Sequence, residues 1–416
     1  LNILYAPQSP KISLSPSKTH MILTDRIVYP SLAELAAPML KLAGTRVNPK
    51  NNYYHGRHGG INPRIVTIKN GKETQLDLPA DAEIFSTNWT VDGKRFALSV
   101  GFEDRIELWI GDVNGNVAKI PNIVLNPLMD QAVKWFPNQE KLLLRVINDR
   151  GPAPEKSNIP SGPKILEDAG ASARSTYEAR NLLETSFDDD LFTYYTQSEL
   201  VIYDTKSKQQ KVIGPSATYT NSSISPDGKY VLIKRLKKPW SHEVGWWRFA
   251  HDIEVIDLNG NLIKTVANQP LANEVPVRGV ITGPRNVNWQ PTAGHTLFWR
   301  EALDGGNPLS KVDFRDKIVK WQAPFTAEKE EVFKSEHRIQ MAMWGESNGM
   351  LMVYQRERMR RWRHIWLLNV DKGTAKKWFD FSENDRYNDP GYPISTLLKN
   401  GKYAIKVDGE SVYFRG

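Results

Sequence analysis

The chain has 416 residues, with 55 lysines and arginines against 47 aspartates and glutamates, a net charge of +8 and no cysteine. Disulfides, thiolate catalysis and cysteine-ligated zinc are therefore excluded, and no run of about 18 apolar residues offers a membrane-spanning helix. The 40% apolar and 25% charged fractions are ordinary for a globular protein. A chain of this length can bury an ample core, as one large all-β unit or as about two or three smaller domains. Leu1 stands where a start Met would, which fits cleavage of an export signal or trimming of the sequence. With the lack of cysteine this leans toward a periplasmic or secreted protein and leaves the compartment open.

A polar turn followed by a β-rich run recurs along the chain. It reads SPSKTHMILTDR from Ser15, TVDGKRFALSV from Thr90 and FPNQEKLLLRVI from Phe136. It returns as SPDGKYVLIKRL from Ser225, QPTAGHTLFWRE from Gln290, GESNGMLMVYQRE from Gly345 and LKNGKYAIKVDG from Leu398. Four copies carry Trp two residues before the second turn residue: Trp89, Trp135, Trp289 and Trp344. The equivalent positions Pro16, Val91, Pro137, Pro226, Pro291, Glu346 and Lys399 are 75, 46, 89, 65, 55 and 53 residues apart. A four-stranded propeller blade takes roughly 40–50 residues, so these anchors predict seven blades with extra material in the first and third intervals. Asp-Gly and Asn-Gly favour tight hairpin turns, and the following Val, Ile, Leu, Tyr and Phe suit pleated, half-buried strands. Second hairpins are predicted from Ile106, Leu200, Ile253 and Ile365, each with a polar turn between two β-runs. The set at Lys399 has only two clear strands before Gly416 and should be completed by the N-terminal segment or left partly open.

Three segments break the pattern. Ser31-Leu-Ala-Glu34 has the form of a capping box opening a short helix before Pro38. Gly151 to Gly170 is rich in Pro, Ser and Gly and reads as an exposed loop. Ser175 to Leu191 places Tyr177, Leu182, Leu183, Phe187 and Leu191 on a helical face.

The stretches LAELAAPMLKLAGTRVNP from Leu32, LLETSFDDDLFTYYTQSELVIYD from Leu182, KKPWSHEVGWWRF from Lys237, WREALDGGNP from Trp299 and NDRYNDPGYPI from Asn384 carry a family likeness. On them the chain resembles the N-terminal propeller of prolyl-oligopeptidase-type serine peptidases, most of all the glutamyl endopeptidase subgroup. The resemblance implies an all-β, seven-bladed β-propeller with short helical insertions, one domain over 1–416. It also implies a C-terminal α/β-hydrolase domain of the same protein, expected where this chain stops at VYFRG. That domain would supply the Ser, Asp and His. The propeller would admit and dock peptide substrates, with no catalytic residue, metal or cofactor of its own, and neither nucleic acid nor membrane as partner. A stand-alone propeller acting as a protein-interaction module is the alternative. A glutamyl peptidase must hold a carboxylate side chain, which suits bidentate arginine. Arg248 in WWRF, and Arg278 and Arg285 around VRGVITGPRNVNW, are the candidate substrate-binding residues in this chain, each weighed against an arginine that merely ties loops together.

Other motifs invite chemistry that their context opposes. Gly345-Glu-Ser-Asn-Gly349 matches G-x-S-x-G, but a nucleophile elbow needs a strand before and a helix after, then an acid and a His in order. Met350 to Gln355 reads as a strand, so Ser347 is expected in a turn and not in catalysis. His58-Gly59-Gly60 echoes part of an oxyanion motif and is read as a flexible turn before a strand from Arg64 to Ile68. Asp188-Asp189-Asp190 lacks the alternating ligands of a calcium loop and is read as a solvated charged surface. The eight histidines show no H-E-x-x-H pairing, so zinc has no motif to support it. The basic run Arg356 to His364 lies between two β-runs and is read as a solvent-facing hairpin rather than a nucleic-acid surface.

Overall fold

The computed structural model describes residues 8–147, 149–156, 180–347 and 349–416. Its regular structure is almost all antiparallel strand. An eight-stranded sheet comes first, and its two halves touch through one residue pair, Gly60 with Ile84. Four sheets of four strands follow in chain order, each built from consecutive strands. The last described strands form three short pairs, Ser395–Leu397 with Tyr403–Ile405, Tyr392–Pro393 with Phe414–Arg415, and Val407–Asp408 with Ser411–Val412. Residues 1–7 of the N-terminal segment, expected to complete the set at Lys399 or leave it partly open, lie outside the described residues. The chain divides into two compact units: Leu1–Glu167, Glu178–Asn221 and Arg235–Phe249 in one, and Asp168–Tyr177, Ser222–Lys234 and Ala250–Gly416 in the other.

All seven anchors fall in turns joining two paired strands. Pro16 lies between Lys11–Leu14 and His20–Arg26, Val91 between Glu83–Trp89 and Arg95–Gly101, and Pro137 between Val133–Trp135 and Lys141–Val146. Pro226 lies between Tyr219–Ile224 and Tyr230–Leu236, and Pro291 between Arg285–Trp289 and Thr296–Ala302. Glu346 lies between Arg338–Trp344 and Met350–Glu357, and Lys399 between Ser395–Leu397 and Tyr403–Ile405. The turns share one hydrogen-bond scheme. The backbone N–H of Lys18, Gly93, Gln139, Gly228 and Gly401 donates three residues back, to Ser15, Thr90, Phe136, Ser225 and Leu398, at 2.8–2.9 Å. Each of these donors has positive φ, between 57° and 80°, which is why Gly recurs there. The predicted second hairpins also form, including Ile106–Asp112 with Val117–Val124 and Trp362–Asn369 with Thr374–Ser382.

Position within a sheet sets composition. The second strands, such as Arg95–Gly101 and Lys141–Val146, are buried along nearly their whole length and read RFALSVG and KLLLRV. Strands covered on both faces need continuous apolar runs rather than alternation. The outermost strands Lys72–Gln75 and Thr374–Ser382 are largely exposed and carry lysines, which discourage edge-to-edge pairing. In the first unit Ile22, Ile65, Phe96, Leu98 and Val100 form one core cluster. In the second unit Trp289, Leu297, Trp299, Val319 and Trp321 form another.

The recurring place of the tryptophans has a structural cause within this chain. Trp135 Nε1 donates to the Asn88 carbonyl at 2.8 Å, and Trp289 Nε1 to the Ser223 carbonyl at 2.8 Å. Trp89 Nε1 donates to Ser13 Oγ at 3.0 Å. The acceptors Ser13, Asn88 and Ser223 are equivalent, three residues before the anchors Pro16, Val91 and Pro226. Each indole thus ties the first strand of one repeat to the first strand of the repeat before it. Trp344 occupies the same place but packs edge-on against Phe298, at 5.6 Å between ring centroids.

Two helical expectations meet different outcomes. Leu32–Leu35 is helical, and the Ser31–Glu34 capping box is formed in both directions. The second helix runs later than the Ser175 to Leu191 stretch expected from the apolar spacing. It spans Ser186–Thr196 and buries Leu191, Phe192 and Tyr195. Its start is fixed by Thr185, whose side chain caps the Asp188 N–H while Asp188 accepts from Thr185 in return. Residues 157–179, which hold most of the predicted loop and the first part of that expected helix, lie outside the described residues.

Trp289→Phe keeps an aromatic ring and removes the indole donor, and should cost about 1–2 kcal/mol, whereas Trp289→Ala should cost about 3–5 kcal/mol. Urea melts of both variants check this. Equal losses, or no loss for Phe, would contradict a hydrogen-bonded tie at this position.

Candidate functional site

Three elements outside the larger sheets converge within the first unit. Leu40–Leu42, Thr45–Asn48 and Tyr53–Tyr54 form a small three-stranded sheet. The helix Ser186–Thr196 and the stretch from Trp240 to Phe249 join it. Gly44 donates its N–H to the Asn181 carbonyl at 2.7 Å, and Trp246 donates to the Ala43 carbonyl at 2.9 Å. Trp246 Nε1 reaches Thr45 Oγ1 at 3.1 Å, and Trp240 Nε1 reaches Thr193 Oγ1 at 2.8 Å. Trp240 stacks on Phe249, and Phe192 meets both edge-on. Gly44 is required here: its φ is +90°, and a Cβ would lie 2.5 Å from Trp247 Cζ3.

The C-terminal end of the helix is closed by polar side chains from elsewhere in the unit. Asn52 Nδ2 donates to the Tyr195 carbonyl at 2.9 Å, and Asn126 Nδ2 to the Gln197 carbonyl at 2.8 Å. Arg150 donates to Asn52 Oδ1 at 3.0 Å, also to the Tyr194 carbonyl, and its guanidinium lies 3.9 Å from the Tyr194 ring centroid. These contacts satisfy carbonyls that a helix end leaves unpaired. Asn52 and Asn126 carry no motif, so sequence reasoning missed them.

Beside this assembly lies a cleft of about 450 Å³. Tyr53 and Phe85 stack in its wall at 4.1 Å, and Arg57 lies over Tyr54 at 4.6 Å. Burial pushes the Tyr53 hydroxyl up from its ordinary pKa. Lys50 pairs with Glu103 at 2.5 Å on the rim. Glu34, His58 and Glu83 bring three potential metal-ligating atoms within 4.8 Å of one another at this cleft. Glu34 and Glu83 are already engaged, by the Ser31 and Gly59 N–H groups.

The predicted arginines take three different positions. Arg248 ends the 3-10 turn Trp246–Arg248 and is half-buried. Arg278 is exposed in a turn with φ of 62°. Arg285 opens the strand Arg285–Trp289, is 9% exposed, and sets Nη2 2.5 Å from Asp316 Oδ1. Asp316 also takes Arg338 Nη1 at 2.5 Å and the Ile339 N–H at 2.8 Å. Asp304 extends the cluster, meeting Arg338 at 2.5 Å and Arg315 at 3.0 Å. Burial pushes Asp316 up and Arg285 down in pKa, against their mutual attraction. Arg300 nearby is pushed down to about 10, by burial first and Arg285 second. Arg145 was missed altogether: it is 1% exposed inside KLLLRV and donates to the Asp130 carbonyl at 3.1 Å. A lone cation in an apolar run was the available signal.

The rival motifs resolve locally. Ser347 is exposed in the turn between Arg338–Trp344 and Met350–Glu357, with a strand on each side. Gly59 and Gly60 are not a flexible turn: the strand begins at Gly60, and a Cβ there would sit 2.1 Å from Thr24 Oγ1. Close backbone approach is what the glycines allow. The Asp188 to Asp190 run is not simply solvated either. Asp188 caps the helix, and Asp189 Oδ1 lies 2.9 Å from His242 Nε2. The T-x-x-D spacing from Thr185 is a capping signal that points to this. The basic run forms the expected hairpin with an exposed turn at 358–361, but its flanking arginines are engaged. Arg356 Nη2 donates to Glu383 at 2.7 Å, and Arg363 Nε lies 3.2 Å from the same carboxylate.

Asp316→Ala leaves two guanidinium groups without their shared carboxylate and should cost about 3–5 kcal/mol. Denaturant unfolding measures this, and a loss under about 1 kcal/mol, the range of an exposed pair, would mean that water already screens the cluster.

No protein-family model matches the chain. It is 32% identical over 440 aligned positions to a probable chloroplastic glutamyl endopeptidase of Oryza sativa subsp. japonica, covering 99% of this chain and 46% of that protein. A probable chloroplastic glutamyl endopeptidase of Arabidopsis thaliana is 30% identical, with 97% and 44% covered. Among solved structures, the Pyrococcus horikoshii acylaminoacyl peptidase aligns at 12% identity and a TM-score of 0.41, covering 89% of this chain and 46% of that one. The chain spans about half the length of the curated relatives it matches. It is a homologue of proteins named probable glutamyl endopeptidase, matched along nearly all of its own length.

Proposed function

We propose that this chain is the substrate-admitting half of a glutamyl-endopeptidase-like serine peptidase of the prolyl oligopeptidase family. The observation that carries the reading is the similarity itself, which covers 99% of this chain but only 46% of the rice relative. The other half is then the α/β-hydrolase domain that supplies the nucleophile, its His and its acid. The seven equivalent turns and the tryptophan ties favour seven blades arranged as a propeller. The placement of Ser347 between two strands supports a chain without its own triad, since an elbow requires a helix after the serine.

In this reading the chemistry is acyl transfer: serine attack, His as general base, and an oxyanion hole, all in the partner domain. The propeller contributes selection. It excludes folded proteins and docks extended peptides, with the aromatic cleft beside Tyr53 as one surface for a backbone. Arg248, Arg278 and Arg285 remain the residues of this chain proposed to meet a substrate carboxylate. At Arg285 a substrate carboxylate would have to compete with Asp316.

The test is kinetic, on the protein made from the complete reading frame. Arg248→Ala or Arg278→Ala should lower kcat/KM for Glu-containing peptides by about 30- to 150-fold while affecting neutral peptides much less. An equal loss on both peptide classes would assign the arginine to structure. The isolated 416-residue chain should hydrolyse neither class, and turnover by it would defeat the whole reading.

A further inference from the structure

The second unit brings together two histidines and a glutamate that no sequence motif connects. His337 sits in the turn between Glu330–Ser335 and Arg338–Trp344. Glu357 ends the strand Met350–Glu357, and His364 lies in Trp362–Asn369, the strand paired with it. The two imidazoles stack nearly parallel, 4.8 Å apart between centroids with 11° between planes. Both face one carboxylate oxygen: Glu357 Oε2 is 4.0 Å from His337 Nε2 and 3.9 Å from His364 Nε2. The three ligand atoms lie within 4.8 Å of one another.

His364 is the informative member. It is 5% exposed, and among the described residues neither ring nitrogen makes a hydrogen bond. A buried imidazole without a hydrogen bond is costly, and its Nε2 stands 3.9 Å from the oxygen of Glu357, too far to make one. We propose that His337, Glu357 and His364 form a binding site for a divalent transition-metal cation of the zinc class.

The donor chemistry fits. Two imidazole nitrogens and one carboxylate oxygen make a three-ligand zinc set, which leaves a fourth position for water. Tetrahedral bonds of about 2.0–2.1 Å place ligand atoms roughly 3.3 Å apart, so the three side chains need to close by about an ångström. A metal requires neutral imidazoles. The surroundings supply an orienting group as well. Asp380 Oδ1 lies 3.4 Å from His364 Nδ1, on the ring edge away from Nε2. With a metal on Nε2, the Nδ1–H would donate to Asp380, an arrangement that fixes the ring and raises its basicity. Trp362 Nε1 donates to that carboxylate, and Lys377 Nζ lies 3.3 Å from its other oxygen. Arg360 Nη1 donates to Glu357 Oε2 at 3.0 Å. This exposed arginine must yield one lone pair of that oxygen, or all of it, to the cation.

Such an ion would clamp the turn at His337 to the adjoining end of the hairpin 350–369, just beyond the last backbone pair of these two strands, Arg338 with Arg356. The experiment is calorimetric titration of the chelator-treated 416-residue chain with Zn²⁺, alongside His337→Ala, His364→Gln and Asp380→Asn. The wild-type chain should bind one equivalent and melt at a higher temperature with Zn²⁺ than without it. Each His variant should bind about 100-fold more weakly and Asp380→Asn about tenfold more weakly, and at one fixed Zn²⁺ concentration each should gain less melting temperature than the wild type, the His variants least. Co²⁺ should give the visible absorption of a tetrahedral nitrogen–oxygen site in the wild type and lose it in His337→Ala. Circular dichroism separates loss of binding from loss of folding for the buried His364→Gln. Zn²⁺ binding unchanged by either His substitution would overturn the site, and so would binding abolished by His58→Ala at the other His and Glu grouping.

Discussion

The indole hydrogen bond at the end of a repeat's first strand is the interaction that organises the rest. A single antiparallel sheet with a second strand such as RFALSVG leaves too much apolar surface to stand alone. It needs a neighbour at a defined offset. Trp135 fixes that offset in the first unit by donating to Asn88, and Trp289 does so in the second by donating to Ser223. An indole has one donor and a large rigid ring, so it supplies direction and buried area together. The turn that follows each first strand then repeats because the strand it feeds must enter the sheet in one register. Positive φ at Lys18, Gly93, Gln139, Gly228 and Gly401 is the local consequence.

Charge is used differently from apolar area. Asp316 gathers Arg285 and Arg338, which open the first strands of successive sheets, and Asp304 gathers Arg338 and Arg315. Burying these ions is expensive, and their attraction largely offsets that cost rather than exceeding it. What they add is a penalty for misalignment, since a slipped strand would leave a guanidinium buried without its carboxylate. The aromatic assembly in the first unit works by the same logic with neutral groups. Trp240, Phe249 and Phe192 interlock, and Thr45 and Thr193 take the two indole N–H groups that would otherwise be stranded.

The repeat was legible because turn chemistry and strand composition are local. Pro226 with Asp227 and Gly228, or Asn400 with Gly401, announce a turn whatever surrounds them. The Ser31–Glu34 capping box was readable for the same reason, and the Thr185–Asp188 box could have been. An apolar spacing alone placed the second helix too early, because Leu182 and Leu183 lie before the cap and Leu183 is buried without being helical. The sites were far less legible. Asn52 meets Asn126 across 74 positions, and Arg285 meets Asp316 across 31. His337, Glu357 and His364 stand 20 and 7 residues apart, a spacing that belongs to no metal-binding motif. Only the hairpin ladder and the turn before it bring them together.

Under the proposed function this chain selects substrates and leaves the reaction to other residues. The proposed function has one central claim, that a serine nucleophile lies outside these residues. Labelling the protein from the complete reading frame with a serine-directed fluorophosphonate, then mapping the adduct by peptide mass, tests this most directly. The account predicts one modified serine beyond Gly416 and no adduct on the 416-residue chain alone. An adduct on Ser347, or on any other serine of this chain, would contradict it.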